Sequence, residues 1–164
     1  MVDSLFDIED EEEEEQTEAK LSRQALSFTL HSVLALGSWL AMMLAGYAIN
    51  PVGVPQWAIL FLSAAIPFFV ALFVVRIQPS EMAAAVWLLG LIWMVIVSLW
   101  VLDMPTGPNQ CFQCEATEKL TRTFFSWPRP SGLLDNDGPF LGTWPAAALV
   151  GYSIGARLGM GKRR

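Results

Sequence analysis

Residues 82–102, MAAAVWLLGLIWMVIVSLWVL, run for 21 positions without an Asp, Glu, Lys or Arg. As a helix this stretch is about 30 Å long, the thickness of a bilayer's hydrocarbon core. In lipid no water is at hand to satisfy the backbone, so a single segment of this kind can only be helical. Two further apolar blocks precede it, at 26–49 and 57–75, and a shorter, glycine-rich one follows at 140–156. Hydrophobic residues make up 54% of the chain and lie in blocks rather than at the spacing of a half-buried helix or strand, which is the composition of a membrane protein and not of a soluble core. The expected fold class is therefore an all-α integral membrane protein with four transmembrane helices.

Breakers and charges place the ends of these spans. The first ends at Asn50-Pro51, and the second follows Pro55 and carries Pro67, where a kink is expected. Only Arg76-Ile-Gln-Pro-Ser-Glu81 separates the second span from the third. Arg76 suits the C-terminal end of one helix dipole, while Ser80 as N-cap and Glu81 suit the start of the next, which predicts a tight helical hairpin. The fourth block starts after Gly138-Pro139, has Pro145 near its first turn and closes at Arg157. Its 17 residues cross a bilayer only if the helix stands upright or Arg157 snorkels; otherwise the segment is re-entrant. The resulting plan is an acidic tail (1–24), a membrane domain (25–160) with an external loop at 103–139, and a basic tail (161–164).

The formal charge of −6 is unevenly spread: the first 24 residues hold ten acids against Lys20 and Arg23, and the rest of the chain is +2. A segment with five consecutive glutamates buries no core and reads as a disordered, solvated tail. The patch Leu5-Phe6-Asp7-Ile8 ahead of the acids can alternatively seat on a basic cytoplasmic partner. No basic region precedes the first span, so that span is expected to be retained rather than cleaved. With four spans, Lys20, Arg23, Arg76, Arg157, Lys162, Arg163 and Arg164 share one side, against Lys119, Arg122 and Arg129 on the other. The positive-inside rule then puts both termini in the cytoplasm, in a bacterial inner membrane or a thylakoid-like membrane. Trp57, Trp100 and Trp144 fall at the opposite interface as an aromatic belt.

The span interiors lack Asp, Glu, Lys and Arg, which argues against an ion pump, proton-coupled carrier or channel. His31 is the one candidate there for such a role. It is read as a histidine hydrogen-bonded near the headgroup region, with ligation of a haem or chlorophyll-type pigment as the alternative. For a six-coordinate haem the second ligand would be Met42, Met43, Met82 or Met94. No cofactor or metal is predicted, and nothing points to nucleic acid.

Small residues recur every fourth position: Gly37, Ala41 and Ala45 in the first span, and Ala147, Gly151, Gly155 and Gly159 in the fourth. Such stripes share a helix face and let backbones approach closely. Internal packing of the first helix against the fourth accounts for them, and so does docking onto a larger membrane protein. The first stripe favours internal packing, and the long fourth stripe suits a long partner helix.

The external loop is 37 residues, far more than a hairpin needs. Residues 115–127 are expected to form a short helix with Leu120, Phe124 and Trp127 on one side and Lys119 and Arg122 elsewhere, suited to a membrane surface or a partner. Ahead of it lie Cys111 and Cys114, the chain's two cysteines, in the order CFQC. One pair supplies too few ligands for tetrahedral zinc, and Glu115 stands where c-type haem attachment requires histidine. A local structural disulfide is the preferred reading, with thiol–disulfide catalysis as the alternative. Catalysis of that kind in a four-helix membrane protein relays electrons through a second cysteine pair, which this chain lacks.

The function these features suggest is a non-catalytic accessory or assembly subunit of a larger membrane protein complex, respiratory or photosynthetic. It would sit in the lipid bilayer and dock through small-residue faces and the external loop. The alternatives are a membrane thiol–disulfide oxidoreductase using CFQC and a small carrier for an uncharged or lipid-like substrate.

Overall fold

The computed structural model describes residues 3–49, 56–104, 115–125 and 142–161, and every regular element among them is helical. In chain order these are α1 (Asp3–Ile49), α2 (Gln56–Ile77), a 3-10 turn (Glu81–Ala85), α3 (Trp87–Asp103), α4 (Ala116–Phe125) and α5 (Thr143–Met160). Three stretches are long and apolar enough to cross a membrane: Gln16–Gly46, Trp57–Ile77 and Glu81–Asp103. Their outer faces carry exposed leucines, isoleucines, valines, phenylalanines and tryptophans, the reverse of a water-soluble surface. The chain is an integral membrane protein.

α1 departs from expectation at its start. The acidic segment expected to be disordered continues the first span as one helix from Asp3. The first 36 residues contain no glycine or proline to break it. Glutamate is a good helix former, and acids near a helix N-terminus are favoured by its dipole. At about 1.5 Å per residue α1 is about 70 Å long, more than twice the thickness of a hydrocarbon core. Its acidic half therefore projects well beyond the bundle.

α5 is the buried centre. Trp144, Pro145, Ala146, Ala148, Leu149, Gly151, Tyr152, Ser153, Gly155 and Ala156 are all enclosed. It begins three residues later than the apolar block in the sequence and continues past Arg157 to Met160. Gly161 ends it at φ 33, a left-handed conformation that glycine adopts without penalty, and gives its N–H to the Leu158 carbonyl at 3.2 Å.

What holds α5 in place is its glycine face, which lies on the backbone of α2. A Cβ added at Gly151 would come within 2.2 Å of the Ala64 carbonyl oxygen, one at Gly155 within 2.2 Å of the Phe68 oxygen, and one at Gly159 within 3.1 Å of the Leu72 oxygen. Both series rise by fours in the same direction, so α5 runs parallel to α2 in a fixed register. The fourth-span stripe thus packs internally, against the second helix rather than the first. Pro67 lies buried inside α2 without ending it. The stripe of α1 does the opposite of what was expected: Gly37, Ala41 and Ala45 are all exposed, and a Cβ at Gly37 meets nothing within 4 Å.

Ser80 is the N-cap of the 3-10 turn, but its side chain makes no capping bond and pairs instead with Ser27 of α1 (Oγ to Oγ, 2.7 Å). The join between the turn and α3 leaves the Trp87 N–H outside the helical ladder, and Ser153 of α5 accepts it at 2.8 Å. α4 packs across the far end of α3, with Leu120 and Phe124 against Met94, Val97 and Val101. Its apolar side is thus covered by the chain's own third helix rather than laid on a membrane or partner. Lys119, which the sequence pattern sets away from that side, is buried, and its Nζ donates to the carbonyl oxygens of Met104 (2.6 Å) and Leu102 (3.3 Å). A cation there meets the unpaired carbonyls and negative dipole end of α3. Trp127 lies outside the described residues.

Gly151→Ala and Gly155→Ala each force a side chain into α2 backbone. Each is expected to lower stability by about 1–3 kcal/mol, the usual range for overpacking, whereas Gly37→Ala leaves it unchanged or slightly raised. Thermal unfolding of the three purified variants in one detergent checks this; equal behaviour at positions 37 and 151 would contradict the packing.

Candidate functional site

Helices in lipid gain little from burying apolar surface against one another, so the polar groups inside such a bundle are where specific recognition or chemistry resides. Here they form a seam between α1, α2 and α5. His31 is 4% exposed, and its Nδ1 shares a 2.7 Å hydrogen bond with the hydroxyl of Tyr152, itself fully enclosed. The histidine tautomer sets which atom donates. One helical turn onward Ala35 packs into the same core as Tyr152, Leu149 and Ala156, and two turns onward Trp39 donates from Nε1 to Ser63 Oγ of α2 at 3.2 Å. Ser32 and Ser153 turn their hydroxyls back to the carbonyls of Phe28 (2.8 Å) and Leu149 (3.0 Å).

One ring nitrogen of His31 is taken by Tyr152, and the imidazole is enclosed by packed helices, so a porphyrin face has no approach to it without parting α1 from α5. The hydrogen-bond partner of the histidine is the phenol of another helix. Tyr152 carries no signal as an isolated residue. Its depth does: it precedes the end of the 140–156 block by four residues, and His31 follows the start of the 26–49 block by five.

Of the three tryptophans assigned to an interfacial belt, Trp57 and Trp100 are exposed, at 66% and 47%. Trp144 is not: at 8% exposure it packs with Trp39 and Ala148 inside the bundle. It lies in the first turn of a helix sheathed by the other helices, so the interface position does not translate into lipid contact. Cys111 and Cys114 lie outside the described residues.

Two concavities flank the seam. One, of about 560 Å³, is a groove on the outer surface between α1, α3 and the start of α5. Val33, Gly37 and Leu40 form one wall, Leu89 and Trp93 the other, and Pro145 the end. Its lining is apolar throughout, and the missing side chain of Gly37 opens it. The other is polar, about 590 Å³, and lies beside the α2–α3 turn. Among the described residues no three metal-ligating side chains converge.

Compared with known proteins, the chain matches no family model, no curated protein and no solved structure at a significant level.

The His31–Tyr152 pair is a coupled unit. Tyr152→Phe leaves a buried ring nitrogen unpaired and is expected to cost about 1 kcal/mol, near the usual value for an interhelical hydrogen bond in lipid. Because removing both polar partners relieves that penalty, His31→Leu with Tyr152→Phe should cost less than the sum of the single changes. Unfolding titrations of the four proteins in mixed micelles measure the coupling, and a coupling of zero would show that the two side chains do not bond.

Proposed function

We propose that this protein is a non-catalytic accessory or assembly subunit of a larger membrane complex and docks through the open face of α1. The observation that carries the reading is the contrast between its two small-residue stripes. Gly151, Gly155 and Gly159 are consumed by packing on α2, whereas Gly37, Ala41 and Ala45 are left on the surface. A glycine inside a helix costs roughly 1 kcal/mol relative to alanine, and at Gly37 no contact within the bundle offsets it. A concave, small-residue face at hydrocarbon depth admits the backbone of a partner helix, and the groove beside it extends that concavity toward Trp93.

In this reading α5 is a fourth span. Its support is the parallel register with α2 from Ala64 to Leu72; an 18-residue helix is about 27 Å long, close to the hydrocarbon thickness. Both termini then share the cytoplasmic side with the α2–α3 turn, in agreement with the distribution of lysine and arginine. The loop bearing Cys111 and Cys114 lies on the other side, where a structural disulfide is permitted. A bacterial inner membrane or a thylakoid-like membrane suits that arrangement. The respiratory or photosynthetic complexes such membranes hold are the class of partner.

The test is to extract tagged protein from its native membrane in mild detergent and determine the mass and composition of what accompanies it. Stoichiometric recovery with a larger complex is expected, and Gly37→Leu with Ala41→Leu should abolish it while leaving the isolated bundle's thermal stability unchanged. Wild-type protein recovered alone, or a double variant that still co-purifies in full, would sink the proposal.

A further inference from the structure

The polar concavity at the turn end of the bundle has a different character from the groove. Lys20, Arg23, Gln24 and Ser27 line it from α1, at the i, i+3, i+4, i+7 spacing of one helix face, and Ser80 and Glu81 line it from the turn. The Ser27–Ser80 hydrogen bond of 2.7 Å ties the two walls together. One turn deeper the same face of α1 carries His31, and the neighbouring outer face carries the exposed Leu26, Leu30 and Val33. The concavity therefore lies where the packed, apolar part of α1 gives way to its charged part, which is the headgroup level of a bilayer. Lys20 and Arg23 form no ion pair among the described residues.

We propose that this concavity binds the zwitterionic headgroup of an aminophospholipid of the phosphatidylethanolamine type. The phosphate is held by Lys20 and Arg23, the ammonium by Glu81, and the acyl chains lie along Leu26, Leu30 and Val33. The headgroup site uses residues separate from Gly37, Ala41 and Ala45, and its acyl-chain track meets the groove at Val33. Three features select the ligand. Basic pockets between helices at the membrane edge recognise lipid phosphates. The carboxylate of Glu81 lines the same concavity, and a primary ammonium can donate charge-assisted hydrogen bonds to it, which a trimethylammonium group cannot. Finally, the ten acids of residues 3–18 continue from the same helix, and their field opposes a ligand of net negative charge while leaving a zwitterion unaffected. Free phosphate shares the chemistry of Lys20 and Arg23 but meets that field and makes no contact of opposite charge with Glu81.

Native mass spectrometry of the full-length, delipidated protein in detergent, titrated with dioleoylphosphatidylethanolamine or dioleoylphosphatidylglycerol, tests the assignment. Wild-type protein is expected to bind the ethanolamine lipid about tenfold more tightly than the glycerol lipid. Lys20→Gln with Arg23→Gln should weaken it about thirtyfold, roughly fivefold for each basic side chain at a membrane surface, and Lys20→Arg with Arg23→Lys should retain it. Glu81→Gln should erase the preference between the two lipids. All these side chains are exposed, so unfolding temperatures should stay within error of wild type and any loss of binding is local. Equal or tighter binding of the glycerol lipid to wild type would overturn the proposal, as would unaltered binding by the Lys20/Arg23 double variant. Displacement of the lipid by soluble phosphoethanolamine at equimolar concentration would overturn the membrane source of the ligand.

Discussion

The contact on which the rest of the bundle depends is that of the α5 glycines with the α2 backbone. In water, apolar burial would drive these helices together; in lipid that drive is nearly absent, and close packing has to replace it. Gly151 and Gly155 leave no room even for a methyl group between α5 and the carbonyls of Ala64 and Phe68. This closeness brings Cα–H groups to carbonyl oxygens, a weak but repeated attraction, and it multiplies dispersion contacts along the whole interface. Because the carbonyls recur every fourth residue on α2 and the glycines every fourth on α5, the two helices have one register in which all three contacts form. A slip of one residue would put Tyr152 where Gly151 now lies.

Fixing that register positions the polar seam. With α5 seated on α2, Tyr152 and Ser153 point away from the glycine face, toward α1 and the start of α3. There the phenol meets His31 and the serine meets the Trp87 N–H. Neither interaction is large by itself, since hydrogen bonds between helices in lipid are worth well under 2 kcal/mol each. Their value is directional. An apolar helix face of α1 can rotate against its neighbours with little penalty, but a histidine that must find one phenol and a tryptophan that must find Ser63 cannot. Packing along α2 and α5 therefore sets distance and register, and the seam sets rotation.

The second and third spans were legible in the sequence within a few residues because hydropathy over about 20 positions is a large, local signal, while the first begins ten residues earlier than the apolar block. The ends of α1 and α2 follow from Asn50-Pro51 and Arg76 for equally local reasons. The helicity of residues 3–24 was hidden by a rule about charge, although the absence of glycine and proline and the strong helix propensity of glutamate pointed to it. What could not be read was pairing. A stripe of small residues has the same appearance whether it meets a neighbour or lipid, so the sequence could not tell that the α5 stripe packs on α2 and the α1 stripe is exposed. The same holds for Trp144, whose depth was legible but whose direction was not, and for Lys119, where the attraction of the α3 carbonyls became visible only once α4 was placed across that helix end. The His31–Tyr152 bond lies between these cases: matching depths on two spans are present in the sequence, but they select a partner only after the order of helices around the bundle is known.

The same division explains why both proposed surfaces belong to α1. α5 is largely enclosed, with Arg157 its exposed charge at the last turn, while α2 and α3 turn bulky apolar side chains outward, as lipid-facing helices do. α1 alone changes character along its length. Its last third presents small residues to the hydrocarbon, its junction with the turn presents Lys20 and Arg23 opposite Glu81, and its first turns project beyond the membrane as an acidic helix. A helix that served only to complete a bundle would need none of these. On α1 they lie within a single rigid rod, anchored by His31 and Trp39, so a contact made at any one of them is held in fixed geometry relative to the others.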